Sequence, residues 1–394
     1  MLADASFMER AIALGQLSLP LAGVNPPVGA VLVRNARIIG EGFHRGPGSP
    51  HAEAAAIADA IDRGRLAKEA AEGVTLYCTL EPCCHFGPGK RRPPCAEAII
   101  AAGIRRVVFA CRDPNPLVAG GGAALLRGAG VQVEEGLLGD RAAELIKPFS
   151  ISIRLKRPFI HVKWAQSLDG RLACRGGFSR WITNREARRY AHEMRARCDA
   201  VMIGAGTLRA DDPCLTVRDV PSVMRPTAPA PLRVVLAGRK PLDMDSRLFS
   251  PALREGSLVL AATGSVALEQ ARRNALHVLE VSPDERGLPD LAESFRALYS
   301  AGVGSILVEG GSTVLTALLS RGLWDRMTVF VAPLLLGEGI DAVGDLGVLS
   351  PDRGIALAQS RFEAGEGFFR IDAERGAVDA PGSARDEEPS CSRG

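Results

Sequence analysis

The chain has 394 residues, 46% of them hydrophobic, and its 48 Lys and Arg against 45 Asp and Glu leave a formal net charge of +3. That length exceeds the usual size of one hydrophobic core and predicts two or three domains, while the near balance of charge excludes a broad field for nucleic acid or an anionic membrane. The opening MLADASFMERAIAL has an acidic residue where a secretory leader needs positive charge, and no apolar run approaches the roughly 18 to 20 residues of a membrane span, so a cytoplasmic protein is expected. The nine cysteines are odd in number and unevenly spread. In a reducing compartment their clustering argues for metal binding over a disulfide framework.

In chain order, Ser6-x-x-Glu9 reads as a capping box ahead of the first helix. VGAVLVRNARIIGEG reads as two strands around the turn Asn35-Ala36. A helix is expected from about Ala52 to Arg63, then a strand VTLYCTL, a helix near CAEAIIAAG, a strand RRVVFAC, a helix near GGAALLRGAG and a short strand VQVEE. This is an α/β layer. LIKPFSISIRLKRPF, with two prolines, is expected to be a connection, dividing the chain into 1–147, a linker 148–157 and a second domain 158–373. The second half predicts strands FIHVKWAQS, AVMIGAGT, LRVVLAG, SLVLAAT, SILVEGG and MTVFVAP. Helices are expected near 184–197, 266–275, 289–300 and 312–320, around a mostly parallel sheet. PSVMRPTAPAPL reads as a surface loop, and the tail, residues 374–394, as disordered with Cys391 incidental.

Chemistry concentrates in SPHAEAAAI, residues 49–57, and TLEPCCHFGPGKRRPPC, residues 79–95. Zinc takes imidazole and thiolate ligands in a tetrahedron, and a catalytic site keeps the fourth position open. His51, Cys83 and Cys95 can supply three ligands, and Glu53 a carboxylate that carries protons to a leaving nitrogen. Pro82 suits the first turn of a helix whose N-terminal partial charge favours a Cys83 thiolate. H-x-E followed by P-C is the zinc-deaminase pattern, although here the last cysteine lies twelve residues after Cys83 instead of three. Cys84 competes with Cys83, and His85 can act as a fourth ligand, which would close the site and leave Glu53 no water to activate. A histidine at a helix start is often a mere cap or core group, so both cysteines in order carry the metal reading. Cys78, Cys111, Cys174, Cys198 and Cys214 sit in or beside apolar segments and read as small core residues.

In the second half, SILVEGGSTVLTALLSRG is an apolar strand that ends in Glu-Gly-Gly and opens a helix. Its glycines let a phosphate approach the backbone, and the amides at Ser312 to Val314 favour its charge. Such turns serve tight packing as readily.

NPPVGAVLV, GEGFH, PHAEAAAI, TLEPCCHFG, PPCAEAIIAAG and DPNPLVAGGG stand in the order of a known family, as do KWAQSLDGRLA, SRWIT, EMRARCDAVMIGAGTLRADDPCLTVR and APLLLG. The chain resembles the bifunctional riboflavin-biosynthesis deaminase-reductases over nearly everything except the tail; PGKRR makes one loop longer than is usual there. The resemblance implies an N-terminal cytidine-deaminase-like α/β/α domain followed by a dihydrofolate-reductase-like α/β domain. It implies one Zn2+ on His51, Cys83 and Cys95, with Glu53 catalytic and Asn25, His44 and His85 against a pyrimidine. It lays NADPH along Gly311, Ser312, Thr313, Val314, Leu315, Thr316 and Ala317, with Ala165, Trp181, Thr207 and Asp211 as further cofactor contacts. Gly238 stands where the family usually has a cofactor-contacting serine, and Arg239 and Lys240 after it can meet a 2′-phosphate. Ser179, Arg195, Leu215, Arg218 and Glu309 match substrate contacts, the two arginines as a phosphate clamp.

The activity so implied is hydrolytic deamination of a diaminopyrimidinone carrying a ribosylamino 5′-phosphate, then NADPH-dependent reduction of its ribose to a ribitylamino product. The expected partners are that small phosphorylated pyrimidine and further copies of the chain in a homo-oligomer, with no nucleic acid or membrane. The alternatives are a tRNA base deaminase with an accessory nucleotide-binding domain, which shares H-x-E, and a zinc-stabilised redox sensor, which requires a fourth protein ligand.

Overall fold

The computed structural model describes residues 2–19, 21–67, 71–84, 93–115, 119–221 and 230–376. His85, residues 222–229 of the Pro-rich loop and the tail after residue 376, with Cys391, lie outside these.

The first half runs α1 (Leu2–Ser18), β1 (Gly29–Arg34), β2 (Arg37–Phe43), α2 (Ala52–Asp62), β3 (Val74–Leu80), α3 (Cys95–Ala101), β4 (Arg106–Cys111), α4 (Gly121–Gly128), β5 (Gln132–Glu135) and α5 (Gly139–Leu155). Its five-stranded sheet has the order β2-β1-β3-β4-β5. β1 is antiparallel to β2 and β3, and β3, β4 and β5 are parallel. Successive side chains of a strand point to opposite faces, and β1 uses both. Ala30 and Leu32 pack with Ala52, Ala56 and Ala60 of α2 and with residues of α3 and α4. Val31 and Val33 pack with Met8, Ala11 and Ile12 of α1 and Ala142 of α5. The result is an α/β/α sandwich. Asn35 and Ala36 are both left-handed, φ 50 and 56, as a two-residue hairpin turn with right-twisted strands requires.

Two expectations are corrected here. Ser6 does not cap α1; it lies within the helix, its hydroxyl donating to Ala3 O at 2.8 Å. Asp4 accepts hydrogen bonds from Tyr77 of β3 and Arg106 of β4, which hold the earlier turn on the sheet. The stretch 148–157 is not an extended linker either: helix α5 passes through Pro148 to Leu155. Ala142, Leu145 and Ile146, at helical spacing, are buried, and this anchor carries the helix past the proline.

The second half begins with β6 (Phe159–Ser167), β7 (Arg171–Cys174), α6 (Arg185–Arg195), β8 (Ala200–Gly204), α7 (Ala205–Asp211) and β9 (Leu232–Leu236). It continues with β10 (Ser257–Ala262), α8 (Val266–Arg273), β11 (His277–Val281), α9 (Leu291–Ser300), β12 (Ser305–Val308) and α10 (Ser312–Ser320). β13 (Arg326–Ala332), β14 (Gly339–Asp341), β15 (Leu357–Gly365) and β16 (Phe368–Arg375) complete it. The nine-stranded sheet has the order β11-β10-β9-β8-β12-β6-β13-β16-β15. From β11 to β13 every pairing is parallel; β16 and β15 add antiparallel at the edge. Leu291, Phe295, Leu315 and Leu318 of α9 and α10 cover one face, and Leu208, Ala267 and Leu268 of α7 and α8 the other. The last strand runs to Arg375, two residues beyond the expected boundary at 373. No described helix is long and apolar enough to cross a membrane.

Candidate metal centre and cofactor cavity

His51 is the N-cap of α2, its carbonyl accepting from Ala55 N at 2.9 Å, and Glu53 lies in the first helical turn. Cys83 follows the end of β3. The expected helix at Pro82 is absent, because Glu81–Cys84 are irregular backbone. The nearby helix terminus belongs to Cys95, the first residue of α3, with Pro94 as N-cap. Its amide donates to Cys83 Sγ at 3.4 Å. His51 Nδ1 lies 3.2 Å from Cys95 Sγ and 3.5 Å from Cys83 Sγ, and the three ligand atoms all fall within 4.8 Å of one another. A tetrahedral Zn2+ with Zn–N about 2.0 Å and Zn–S about 2.3 Å places its N and S ligands about 3.5 Å apart, so this donor set fits the ion. Cys84 points elsewhere: a Cβ on Gly121 would come within 2.6 Å of its sulfur.

Hydrogen bonds from Cys95 and His51, outweighing burial, hold the Cys83 thiol well below the usual thiol range, while its hydrogen bond with Cys83 and burial push Cys95 up. Glu53 is 4% exposed; burial raises its pKa against the pull of His51, and its carboxyl meets the Cys95 thiol. Asn25 Nδ2 lies 3.2 Å from His44 Nε2, and the His44 ring stands edge-on to His51 with centroids 5.6 Å apart. Sequence reasoning missed Glu81. This buried carboxylate accepts from Gly120 N at 2.9 Å and Ala123 N at 3.0 Å, tying the ligand loop to the start of α4. Its signal was the Glu of TLEPC, two residues before Cys83.

In the second half a cavity of about 1210 Å³ opens where β6, β8 and β12 end. Its lining includes Ala165, Ser179, Trp181, Arg195, Thr207, Asp211, Leu215, Arg218, Glu309 and Gly311, ten of the expected contacts. Arg195 Nε and Nη2 donate to Glu309 at 2.5 and 2.9 Å, both side chains 12% exposed. Arg195 is thus committed to a carboxylate, and Arg218 is the exposed member of the expected clamp. Burial raises Glu309, but the charge and hydrogen bonds of Arg195, with Lys163 and His192, hold it at about 2. Lys163 and His192 line the cavity and were not anticipated. Burial lowers both, though Glu309 opposes the shift.

Gly311 is the N-cap of α10 and, with Gly310, lines the cavity, so the amides that open the helix lack helical carbonyl partners beside the cavity wall. A Cβ on Gly311 would sit 3.0 Å from Thr207 Oγ1, and one on Gly310 2.8 Å from Val314 Cβ. This cradle fits a dinucleotide phosphate. Of the expected stretch 311–317, only Gly311 is among the cavity's described lining residues. Leu315 is fully buried in the core, and Thr316 Oγ1 donates to Ser312 O and accepts from Gly344 N. Gly238 is not among the cavity's described lining residues. Arg239, expected near a 2′-phosphate, donates twice to Arg286 O.

Residues 158–365 match the family model described as RibD C-terminal domain, and residues 1–111 match the cytidine and deoxycytidylate deaminase zinc-binding region. The riboflavin biosynthesis protein RibD of Aquifex aeolicus is 38% identical over 91% of this chain and 95% of its own. That of Escherichia coli is 38% identical over 85% and 89%. Among solved structures, Acinetobacter baumannii RibD superposes with a TM-score of 0.82 at 35% identity, covering 95% of this chain and 99% of its own. The Thermotoga maritima diaminohydroxyphosphoribosylaminopyrimidine deaminase/5-amino-6-(5-phosphoribosylamino)uracil reductase does so with 0.78 at 34%, with the same coverage. These likenesses run through both halves, which a nucleic-acid base deaminase does not account for. The zinc-fitting triad, the dinucleotide cradle and the full-length likeness converge: the chain belongs to the RibD family of riboflavin biosynthesis, enzymes that join a Zn2+-dependent deaminase domain to an NADPH-dependent reductase domain and act on a small molecule.

Proposed function

We propose that the first domain deaminates 2,5-diamino-6-ribosylamino-4(3H)-pyrimidinone 5′-phosphate and that the second reduces the ribosyl side chain of the product, giving 5-amino-6-ribitylaminouracil 5′-phosphate. The observation that carries this reading is the convergence of His51 Nδ1, Cys83 Sγ and Cys95 Sγ beside the buried Glu53. Zn2+ held by those three atoms supplies Lewis acidity. Glu53 takes a proton from the attacking water and returns it to the departing amino nitrogen, a transfer favoured by the raised pKa that burial gives it. Asn25 and His44 orient the pyrimidine beside it. In the second cavity NADPH supplies the hydride. The first turn of α10 from Gly311 to Val314, with Thr207, Asp211, Trp181 and Ala165, holds the cofactor, and Arg218 and Ser179 hold the phosphorylated substrate. Glu309 keeps Arg195 in place, and Leu215 forms the apolar floor.

The division we adopt is a deaminase unit over 1–147 and a reductase unit from 158 to the end of β16 at Arg375, joined through α5. The eight described cysteines form no disulfide, which supports a reducing, cytoplasmic setting. The edge strand β15 supports a homo-oligomer: Phe362 on it is 74% exposed and Phe369 on β16 52%.

The test is Glu53→Gln in the full chain. It should keep one Zn2+ and lose ammonia release by roughly 10²-fold or more, the scale of general acid–base catalysis, while still reducing supplied deaminated intermediate. His51→Ala, Cys83→Ser and Cys95→Ser should lose the metal and Cys84→Ser keep it. Near-normal ammonia release from Glu53→Gln, or zinc loss from Cys84→Ser alone, would remove these assignments.

A further inference from the structure

Gly23–Asn25, in the deaminase half, lies against the turn before β12 in the reductase half. A Cβ built on Gly304 would come within 2.5 Å of the Gly23 carbonyl oxygen, closer than real Cβ contacts allow, and 3.1 Å from Val24 Cα. Only glycine at 304 lets the two backbones meet. Beside it, Asp199 Oδ2 accepts from Gly304 N at 3.0 Å, Ser305 N at 2.8 Å and the Ser305 hydroxyl at 2.9 Å. The Gly23 backbone lies near enough to this carboxylate to favour its ionised form. Asp199 thus fastens the turn that carries Gly304, and that turn packs against the loop of the other half.

That loop leads to the metal centre. Two residues after Gly23, Asn25 meets His44, which is 5% exposed. His44 Nδ1 lies 3.2 Å from Pro50 O, so with its proton donated there Nε2 is left to accept from the Asn25 amide. Pro50 adjoins His51, and the two histidine rings are in edge contact. A shift of the Gly23 loop therefore moves Asn25, and with it the partner of His44 Nε2, relative to the triad, while the ligands themselves, on α2, the loop after β3 and α3, are anchored independently.

We propose that Asp199 and Gly304 are positioning residues for deamination: through the Gly23–Asn25 loop they set the pyrimidine-facing pair Asn25 and His44, so the reductase domain completes the deaminase pocket. Both residues precede their strands, β8 and β12, at the ends opposite the reductase cavity, and neither lines it. The inference rests on the His51 centre being the deaminase site, which Glu53→Gln tests separately.

The experiment uses full-length Asp199→Ala and Gly304→Val, with three readouts: ammonia release from the diaminopyrimidine, reduction of supplied deaminated intermediate, and zinc per chain. Deamination should lose roughly 2- to 30-fold in kcat/KM, the range for coupling through a packed contact, mainly by a rise in KM. Zinc content and reduction should hold. Gly304→Ala, which adds one carbon, should act in the same direction and keeps the test available if the valine variant fails to fold. Asp199→Asn, which retains an acceptor, should restore part of the loss. In a double-mutant cycle Gly304→Ala should add little once Asn25 is alanine, because both act through one contact. Unchanged deamination, equal loss of both reactions, or additive effects in the cycle would overturn the proposal.

Discussion

The bidentate Arg195–Glu309 pair sits in the wall of the reductase cavity with both partners largely buried. Removing one member of such a pair leaves an uncompensated charge and costs about 3–5 kcal/mol. Arg195→Ala should therefore lower the melting temperature as well as impair reduction. Arg218 is exposed, so Arg218→Ala should leave stability unchanged and raise the KM for the phosphorylated intermediate, as loss of a charge-assisted contact of about 1.5–3 kcal/mol does. Thermal unfolding and reduction kinetics of the two variants check this, and equal stability losses would contradict it. In sequence the two arginines carry the same label. What separates them is Glu309, 114 residues from Arg195. The metal triad was legible because its residue types are rare and ordered. Asp199, Glu81 and Lys163 were not, since a single acidic or basic residue beside a strand has no pattern until the fold supplies its partners.

Elements show how backbone spacing sets the deaminase site. α2, which carries Glu53 and is capped by His51, lies directly on β2. A Cβ at Gly40 would come within 2.4 Å of Ala56 O, and one at Gly42 within 2.3 Å of Ala52 O. The motif GEGFH thus supplies bare backbone where the helix that carries Glu53 must settle. Overpacking of this kind costs about 1–3 kcal/mol, and Gly42→Ala should push α2 outward, weakening zinc retention and ammonia release while reduction of supplied intermediate continues. Metal analysis and the two separate assays decide it, and a folded variant with intact deamination would contradict it. Strands β11 and β16 and helices α5 and α7 were not anticipated, whereas the five strands of the first sheet and β6, β8, β9, β10, β12 and β13 of the second were legible because apolar residues repeat at the right period. β15 was not: most of its residues are exposed, so there is no buried face to mark it. The proline in α5 misled for the opposite reason, a local breaker overridden by the tertiary anchor of Ala142, Leu145 and Ile146.

At the scale of the whole molecule, the exposed β15–β16 ribbon makes a self-association prediction. Sedimentation of the full chain should give more than the mass of one copy, and Phe362→Lys should shift it toward the monomer; a monomer before the substitution would contradict this. α5 bridges the halves. Its Lys147 donates to Glu374 of β16 at 2.6 and 2.7 Å, and its Glu144 pairs with Arg326 of β13. The central claim is that two chemistries run on this chain at two sites, only one of which needs the metal. It is tested most directly by assaying one preparation for both, before and after Zn2+ is stripped with a chelator. The account predicts that ammonia release from the diaminopyrimidine stops and returns on adding Zn2+, while NADPH oxidation with supplied deaminated intermediate continues throughout. Ammonia release that survives complete metal removal would contradict it.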